Sequence, residues 1–496
     1  MVEGYLLNKR SFEEILPTTT EEEMEPATGG MVFYPSSGIK DWVCVFDLKS
    51  LYPSAMLTGN ISEETLTDDP ERVDIIIPDI PLNDKHASGS KITEEDLTWS
   101  LPEAIGVDLS TEGIVPKYLG DLFEDRSYYK RKRNQFSPDQ PEYDTYDNQQ
   151  RSVKVLMNSH FGCANNQYFR LSTDAFGDAI TALSRYVAWK GMEVARRLGH
   201  EVIYSDTDSA FIQLGSGGED LSAEEVVAMG EDLEESINQE MDKVADAIGV
   251  PGEHPYLKDR KLHGTDRQCF LWESEKLYRR FLQSGSKKRY AGNIIWKEGS
   301  YVDDTDIVGY EAVRSSSPEI TSDFQEGVIQ HILSGSGFEE ISEYTDQFVN
   351  GVVEDERPIQ EMAIPGVLNK DPHDYPNRPV PRACMYSNEY LGYDWGDGDN
   401  PFVVFIKDSP PDVPNTEEIA VEWSEDGVPD GFEIDYQKHI EKHMKDPMEP
   451  ILDLVNYSFG ELRTGKRSSS AFESTDDGSD PFSSDGSSGP SDPFSD

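Results

Sequence analysis

Basic residues are scarce in this chain. Its 44 Lys and Arg stand against 96 Asp and Glu in 496 residues, a formal charge of −52 at neutral pH. So large a deficit argues against a generic nucleic-acid binder, which carries a basic footprint. Cysteine is thin as well: Cys44, Cys163, Cys269 and Cys384 lie far apart and form no paired spacing. That leaves no sequence-evident zinc site and no disulfide framework, and it fits a reducing cytoplasm. No apolar run approaches the ~20 residues of a membrane span. The opening MVEGYLLNKRSFEE lacks a signal-peptide core, so a soluble cytoplasmic protein without a membrane partner is expected.

What is present is a globular composition. With 36% hydrophobic and 10% aromatic residues, the chain has material for roughly two to four units of ~150 residues each. Acidity spread over such a composition reads as halophilic adaptation rather than disorder. At molar ionic strength the Debye length is ~3 Å, so repulsion between the chain and phosphate is largely screened and local contacts decide binding.

Residues 1–28 end in TTTEEEMEP and read as a linker before Gly29-Gly30. Trp42–Phe46 is a short apolar run suited to a buried strand, which places Asp47 at its C-terminal end; Pro53 suits the first turn of a following helix. Residues 68–112, rich in Pro, Asp, Gly and Ser, predict a loop excursion. Helical signals over 115–135 and 148–162 flank the turn-rich stretch NQFSPDQPEYDTYD and predict a helical hairpin. A helix over about 174–198 precedes two apolar strands around Ser205-Asp206-Thr207-Asp208, a β-hairpin. Mixed helical and irregular segments are expected over 293–466, and Ser, Asp, Gly and Pro dominate from Arg467 onward, a tail disordered by composition.

Three aspartates carry the first chemical signal: Asp47 in FDLKSLYPS, and Asp206 and Asp208 in YSDTDS, about 160 positions further on. Carboxylates at strand ends can hold divalent metals, and two metals ~3.5–4 Å apart activate a hydroxyl nucleophile and neutralise a leaving pyrophosphate. Mg²⁺ suits this because it takes hard oxygen ligands and is usually held by one or two carboxylates plus substrate phosphates. In so acidic a chain an Asp-x-Asp pair also arises by chance, as Asp397-Gly398-Asp399 shows. The flanking apolar sequence raises the value of this pair, because acids beside a buried strand are costly without a partner. The second signal is a basic run, Arg126 to Arg133, with Arg126 and Lys130 on one helix face. Arg151, Lys154 and Asn158 share a helical spacing beyond it, and such groups can clamp a triphosphate. A solvated positive face is the bland reading of the same run.

Together these segments resemble family B DNA polymerases. DLKSLYPSAMLTGNIS is similar to motif A, KVLMNSHFG to motif B and YSDTDS to motif C. GIVPKYLGDLFEDR resembles the fingers segment, and KKRYAG at 287–292 the basic-Tyr element near the primer terminus. The resemblance implies an α+β right-hand fold with an antiparallel-sheet palm (29–112 and 167–292), helical-hairpin fingers (113–166), a mixed thumb (293–466) and a disordered tail (467–496). It implies template-directed DNA synthesis from dNTPs on primer-template DNA with two Mg²⁺ ions, Mn²⁺ being a possible substitute. Asp47 and Asp208 would be the main metal ligands, Asp206 a supporting acid, and Leu48 would offer its backbone carbonyl. Ser50, Leu51, Tyr52, Arg126, Lys130, Lys154, Asn158, Phe161 and Gly162 would form the nucleotide site, with Tyr52 excluding a 2′-hydroxyl and Gly162 leaving room for the template base. Tyr204, Thr207, Lys287, Lys288, Arg289 and Tyr290 would meet DNA.

Several positions depart from the family pattern. Phe161 stands where the family has Tyr, Ala27-Thr28-Gly29-Gly30 lacks the family's aromatic, and GYEAVRSSSPE diverges after Val-Arg. No Asp-x-Glu cluster precedes Asp47, so no 3′–5′ exonuclease is expected in this chain and a separate N-terminal exonuclease subunit is a conceivable partner. The rival reading is a truncated or split polymerase acting as a non-catalytic DNA-binding or assembly subunit. The tail from Lys466 to Phe472 has the location of a sliding-clamp peptide but lacks its Gln and second aromatic; a plain solvating acidic tail is the better reading.

Overall fold

The computed structural model describes residues 32–33, 37–80, 96–99, 104–164, 173–215, 221–260, 262–354, 357–422 and 428–467. The linker expected over 1–28, the Ala27–Gly30 element and the tail beyond Arg467 lie outside them. Two compact units emerge: one built on Lys40–Arg279 and Ile294–Asp303, the other on Ser37–Ile39, Arg280–Asn293 and the chain from Asp304. The KKRY segment therefore falls in the second unit, and the three aspartates in the first.

A seven-stranded sheet runs in the order β1-β6-β7-β2-β8-β9-β10. Its strands are β1 (Val32–Phe33), β2 (Gly38–Leu48), β6 (Glu201–Asp206), β7 (Ser209–Gln213), β8 (Trp272–Gln283), β9 (Tyr290–Lys297) and β10 (Ser300–Val308). β6 and β7 form the expected antiparallel hairpin, and β7 also pairs antiparallel with β2. Five consecutive buried residues, Trp42–Phe46, make β2 an interior strand. Helix α1 (Leu51–Thr58) follows at once, and α2 (Ile114–Arg133) and α3 (Pro141–Ala164) form the expected hairpin. Helix α4 (Asp174–Arg197) is buried along most of its length, and α5 (Ala223–Ile248) packs beside it in the core of the first unit.

Four sequence expectations are corrected. The loop excursion over 68–112 contributes β4 (Ile75–Ile77) and β5 (Ile105–Val107) to a three-stranded sheet completed by β3 (Leu66–Thr67), just ahead of it; the Ile75-Ile76-Ile77 triplet supplies the burial that its Pro- and Asp-rich surroundings mask. The turn-rich stretch after Arg133 is helical from Pro141, because proline tolerates a first helical turn and Glu142 and Asp144 favour its positive end. Helix α5 was not foreseen, although Ser222 and Glu225 close a capping box at its start. In the second unit, α6 (Glu319–Ser334) and α7 (Phe338–Val353) meet the expectation of helical segments, but a four-stranded sheet of β11 (Ile364–Pro365), β12 (Phe402–Asp408), β13 (Glu418–Val421) and β14 (Glu433–Ile434) stands where irregular structure had been expected beside them. Among the described residues, no helix is long and apolar enough to cross a membrane.

Candidate active site

The site forms where β2 ends beside the β6–β7 turn. Asp47 is the first acid after the buried run of β2 and pairs in register with Ser209, the first residue of β7. The two-residue turn, Thr207-Asp208, is tied to that strand end: the Leu48 amide donates to the Asp208 carbonyl at 2.7 Å, and the Asp208 amide to the Asp206 carbonyl at 2.8 Å. Thr207 has φ 61°, a left-handed conformation that costs a β-branched residue energy and concentrates at functional turns. Ser50, ahead of α1, is also left-handed at φ 51° and makes no side-chain cap to the helix.

The pKa values of Asp47 and Asp208 are both raised. Burial pushes the Asp47 carboxyl up to about 7; Asp208, Glu275 and Glu273 add to the rise and Lys154 opposes it. The Asp208 carboxyl is raised as well, by the surrounding protein first and then by Asp206 and Glu275. Asp208 is nonetheless exposed to solvent. The carboxylate of Asp206 accepts from the Tyr204 and Thr207 hydroxyls, each at 3.3 Å. Two carboxylates that resist ionising together suit a bound cation, and hard oxygen donors suit Mg²⁺. Among the described residues, no three His, Cys, Asp or Glu groups are arranged to hold a metal. A carboxylate pair is the number of protein ligands that Mg²⁺ ordinarily takes when phosphate oxygens complete its shell.

The α2–α3 hairpin supplies positive charge. Lys154 acts on both Asp47 and Asp208. Burial and the neighbouring Arg126, Lys49 and Arg133 push Lys130 down to about 8. The Arg126 Nε is buried with no hydrogen-bond partner among the described residues. Arg151 is engaged otherwise: with Arg133 it flanks Asp147, at 2.6 and 3.0 Å, and braces the hairpin. Tyr52 and Phe161 stack face to face, 3.9 Å between centroids at 13°. Asn158 and Gly162 lie exposed on α3, and a Cβ on Gly162 would meet nothing within 4 Å, so protein packing does not require that glycine.

The other expected residues vary in exposure and partners. Tyr204, read as a DNA contact, is 1% exposed, with its hydroxyl on Asp206. Leu51 is buried in the core, and Leu48 is engaged through its amide. In the second unit Lys287 and Lys288 are exposed, whereas Arg289 pairs with Glu311 at 2.7 Å and Tyr290 packs on Phe281. Sequence reasoning missed Lys49, Glu273 and Glu275. Glu273 and Glu275 alternate on β8 directly after buried Trp272, a strand pattern hidden by the acidity around it.

A carboxylate pair at strand ends, opposed by a cationic helical hairpin on an α and antiparallel-β scaffold, has the chemistry to suit a divalent cation and a polyphosphate. The sequence comparisons narrow that class: residues 1–245 match the model of DNA polymerase family B, and the relatives and the solved structure to which the chain is similar are DNA polymerases. It is 23% identical over 368 residues to DNA polymerase 2 of Aeropyrum pernix, covering 74% of this chain and 38% of the relative. It is 26% identical over 392 residues to the DNA polymerase alpha catalytic subunit of Mus musculus, covering 77% and 23%. It is 26% identical over 382 residues to a DNA polymerase of Thermococcus sp., covering 76% and 42%. The family B DNA polymerase of Pyrobaculum calidifontis shares the fold with a TM-score of 0.58 at 23% identity, over 88% of this chain and 48% of that one. The chain thus spans less than half the length of each of these relatives.

Proposed function

We propose that this chain catalyses template-directed DNA synthesis, joining dNMP from a dNTP to a primer 3′-hydroxyl and releasing pyrophosphate. The observation that carries the reading is the confrontation of Asp47 and Asp208 at the strand ends beside Lys154. In this reading the palm comprises 29–112 and 167–292, the fingers 113–166 and the thumb 293–466.

Each group has a role that its surroundings support. Asp47 and Asp208 hold divalent metal, Mg²⁺ by donor type, while Asp206, occupied by two hydroxyls, supports the turn and its charge. When bound, the metal lowers the cost of deprotonating the primer hydroxyl and neutralises charge on the departing pyrophosphate. Arg126, Lys130 and Lys154 bind and orient the triphosphate, the guanidinium as a planar fork and the ammonium groups as point charges. The uncapped start of α1 leaves backbone N–H groups near Ser50 and Leu51 for phosphate oxygens. Tyr52, backed by Phe161, lies under the sugar.

Primer extension by the purified full chain with Mg²⁺ tests the reading. Asp208→Ala should cut extension by roughly a thousandfold, since metal stabilisation of developing charge is worth several kcal/mol. Asp206→Asn should cost less. Extension that survives Asp208→Ala intact would sink the proposal.

A further inference from the structure

Lys49 is the one cation of the site carried by the β2–α1 turn rather than by the helical hairpin. Its backbone is fixed from both sides: its amide donates to the Leu271 carbonyl at 2.9 Å, and its carbonyl accepts from the Ser54 hydroxyl at 3.1 Å. Its ammonium lies 2.5 Å from a carboxylate oxygen of Glu273, on a pair whose side chains are 29% and 48% exposed. Glu273 also acts on Arg126 and Lys130. The carboxylate that pairs with Lys49 thus also lies within electrostatic reach of Arg126 and Lys130, the position in which an anionic ligand would sit. Lys49 stands next to the left-handed Ser50 and the uncapped start of α1.

We propose that Lys49 is a further polyphosphate-binding residue of this site, latched onto Glu273 in the free protein and handed to the phosphates of the incoming nucleotide. The inference rests on the nucleotidyl-transfer reading and names a residue that reading does not use. Magnitudes favour the exchange. A half-exposed Lys–Glu pair in water contributes little, whereas a charge-assisted hydrogen bond to a more highly charged phosphate is among the stronger polar contacts. The mutual crowding of Lys49, Arg126 and Lys130 is relieved further by an anion carrying more than one charge.

The test is calorimetric titration of inorganic tripolyphosphate into the full chain with chelator present, in salt that keeps the chain folded. Lys49→Met should weaken binding by roughly ten- to a hundredfold, the worth of one charge-assisted contact, and Lys49→Arg should retain most of it. Glu273→Gln should bind as tightly as the unmodified chain or several-fold more tightly, because the competing carboxylate is gone. If the pair were merely structural, Lys49→Met and Glu273→Gln would weaken binding alike; that result, or unchanged binding by Lys49→Met, overturns the proposal. Thermal melts of each variant separate loss of binding from loss of fold. Because the titration is free of metal and of turnover, it is independent of the extension assay. An inactive but tripolyphosphate-binding chain counts against the polymerase reading, and an active chain indifferent to Lys49→Met counts against the latch.

Discussion

The stack of Tyr52 on Phe161 joins α1 to α3 through two rings. Tyr52 is half-buried, and its hydroxyl is pushed above the ordinary range by burial first and then by Asp208, so it stays neutral and acts by shape. If the ring excludes a 2′-hydroxyl, its position matters more than its polarity, and Phe161 supplies the flat surface that fixes it. Tyr52→Ala should lower discrimination against ribonucleotides by tenfold or more. Phe161→Ala should move it the same way by up to about tenfold, since a ring pair is worth ~0.5–1.5 kcal/mol beyond its buried area. Phe161→Tyr should leave it unchanged. The ratio of kcat/KM for matched dNTP and rNTP measures all three, and a folded Phe161→Ala chain with unaltered selectivity would refute the role. The meeting of the Asp47 strand end with the Asp206–Asp208 turn was legible because both sit inside short strings with apolar flanks. The Lys49–Glu273 pair was not, for its members are 224 positions apart and one more Glu is invisible among 96 acids.

Among the elements, α4 shows how much packing a sequence conceals. Gly191 faces Trp272 at the start of β8, and a Cβ there would lie 2.4 Å from the indole ring. Glycine inside a helix ordinarily costs ~1 kcal/mol relative to Ala, so its presence marks a close approach between helix and strand. Gly191→Val should destabilise the first unit by about 2 kcal/mol through overpacking, read as a lower urea midpoint at unchanged slope. The helical hairpin, the β6–β7 hairpin and α4 were legible because each repeats its period over enough residues. The three-stranded sheet and β11–β14 were not, since strands of two to seven residues leave too little alternation to read. One such strand carries a pH response. The Phe405 amide on β12 donates to the His439 Nε2 at 3.1 Å, which requires a neutral imidazole, and His443 stacks on the Phe405 ring. Burial pushes His439 down to about 3 and His443 to about 4. The unfolded chain therefore takes up protons first, below pH ~6.5, and stability of the second unit falls as pH drops from there toward 4. His443→Phe should flatten this slope in thermal melts, because its Nε2 is buried without a hydrogen-bond partner among the described residues and a phenyl ring keeps the stack. An unchanged slope would assign the acid response elsewhere.

At the scale of the whole molecule, a charge of −52 sets the conditions under which the local site operates. The acids are distributed over both units, and most of the ion pairs involve exposed side chains, each worth about 0–1 kcal/mol. They cannot offset repulsion among an excess of carboxylates that have no basic counterpart. Screening can: the Debye length falls from ~10 Å at 0.1 M salt to ~3 Å at 1 M, shorter than the spacing of neighbouring surface charges. The melting temperature should therefore rise by several degrees between 0.1 and 1 M NaCl. The shape of the rise separates screening from general exclusion of salt from the protein surface, which stabilises folded states steadily with concentration. Screening saturates, so most of the gain should come below about 0.5 M, where the Debye length is already near ~4 Å. An equal concentration of sucrose, which is excluded from the surface but does not screen, should give little of it. Calorimetric scans across the two series decide the matter: a linear rise in NaCl matched by sucrose would mean that self-repulsion is not what limits this fold, and a flat response would mean that the acidic surface is already balanced at low salt.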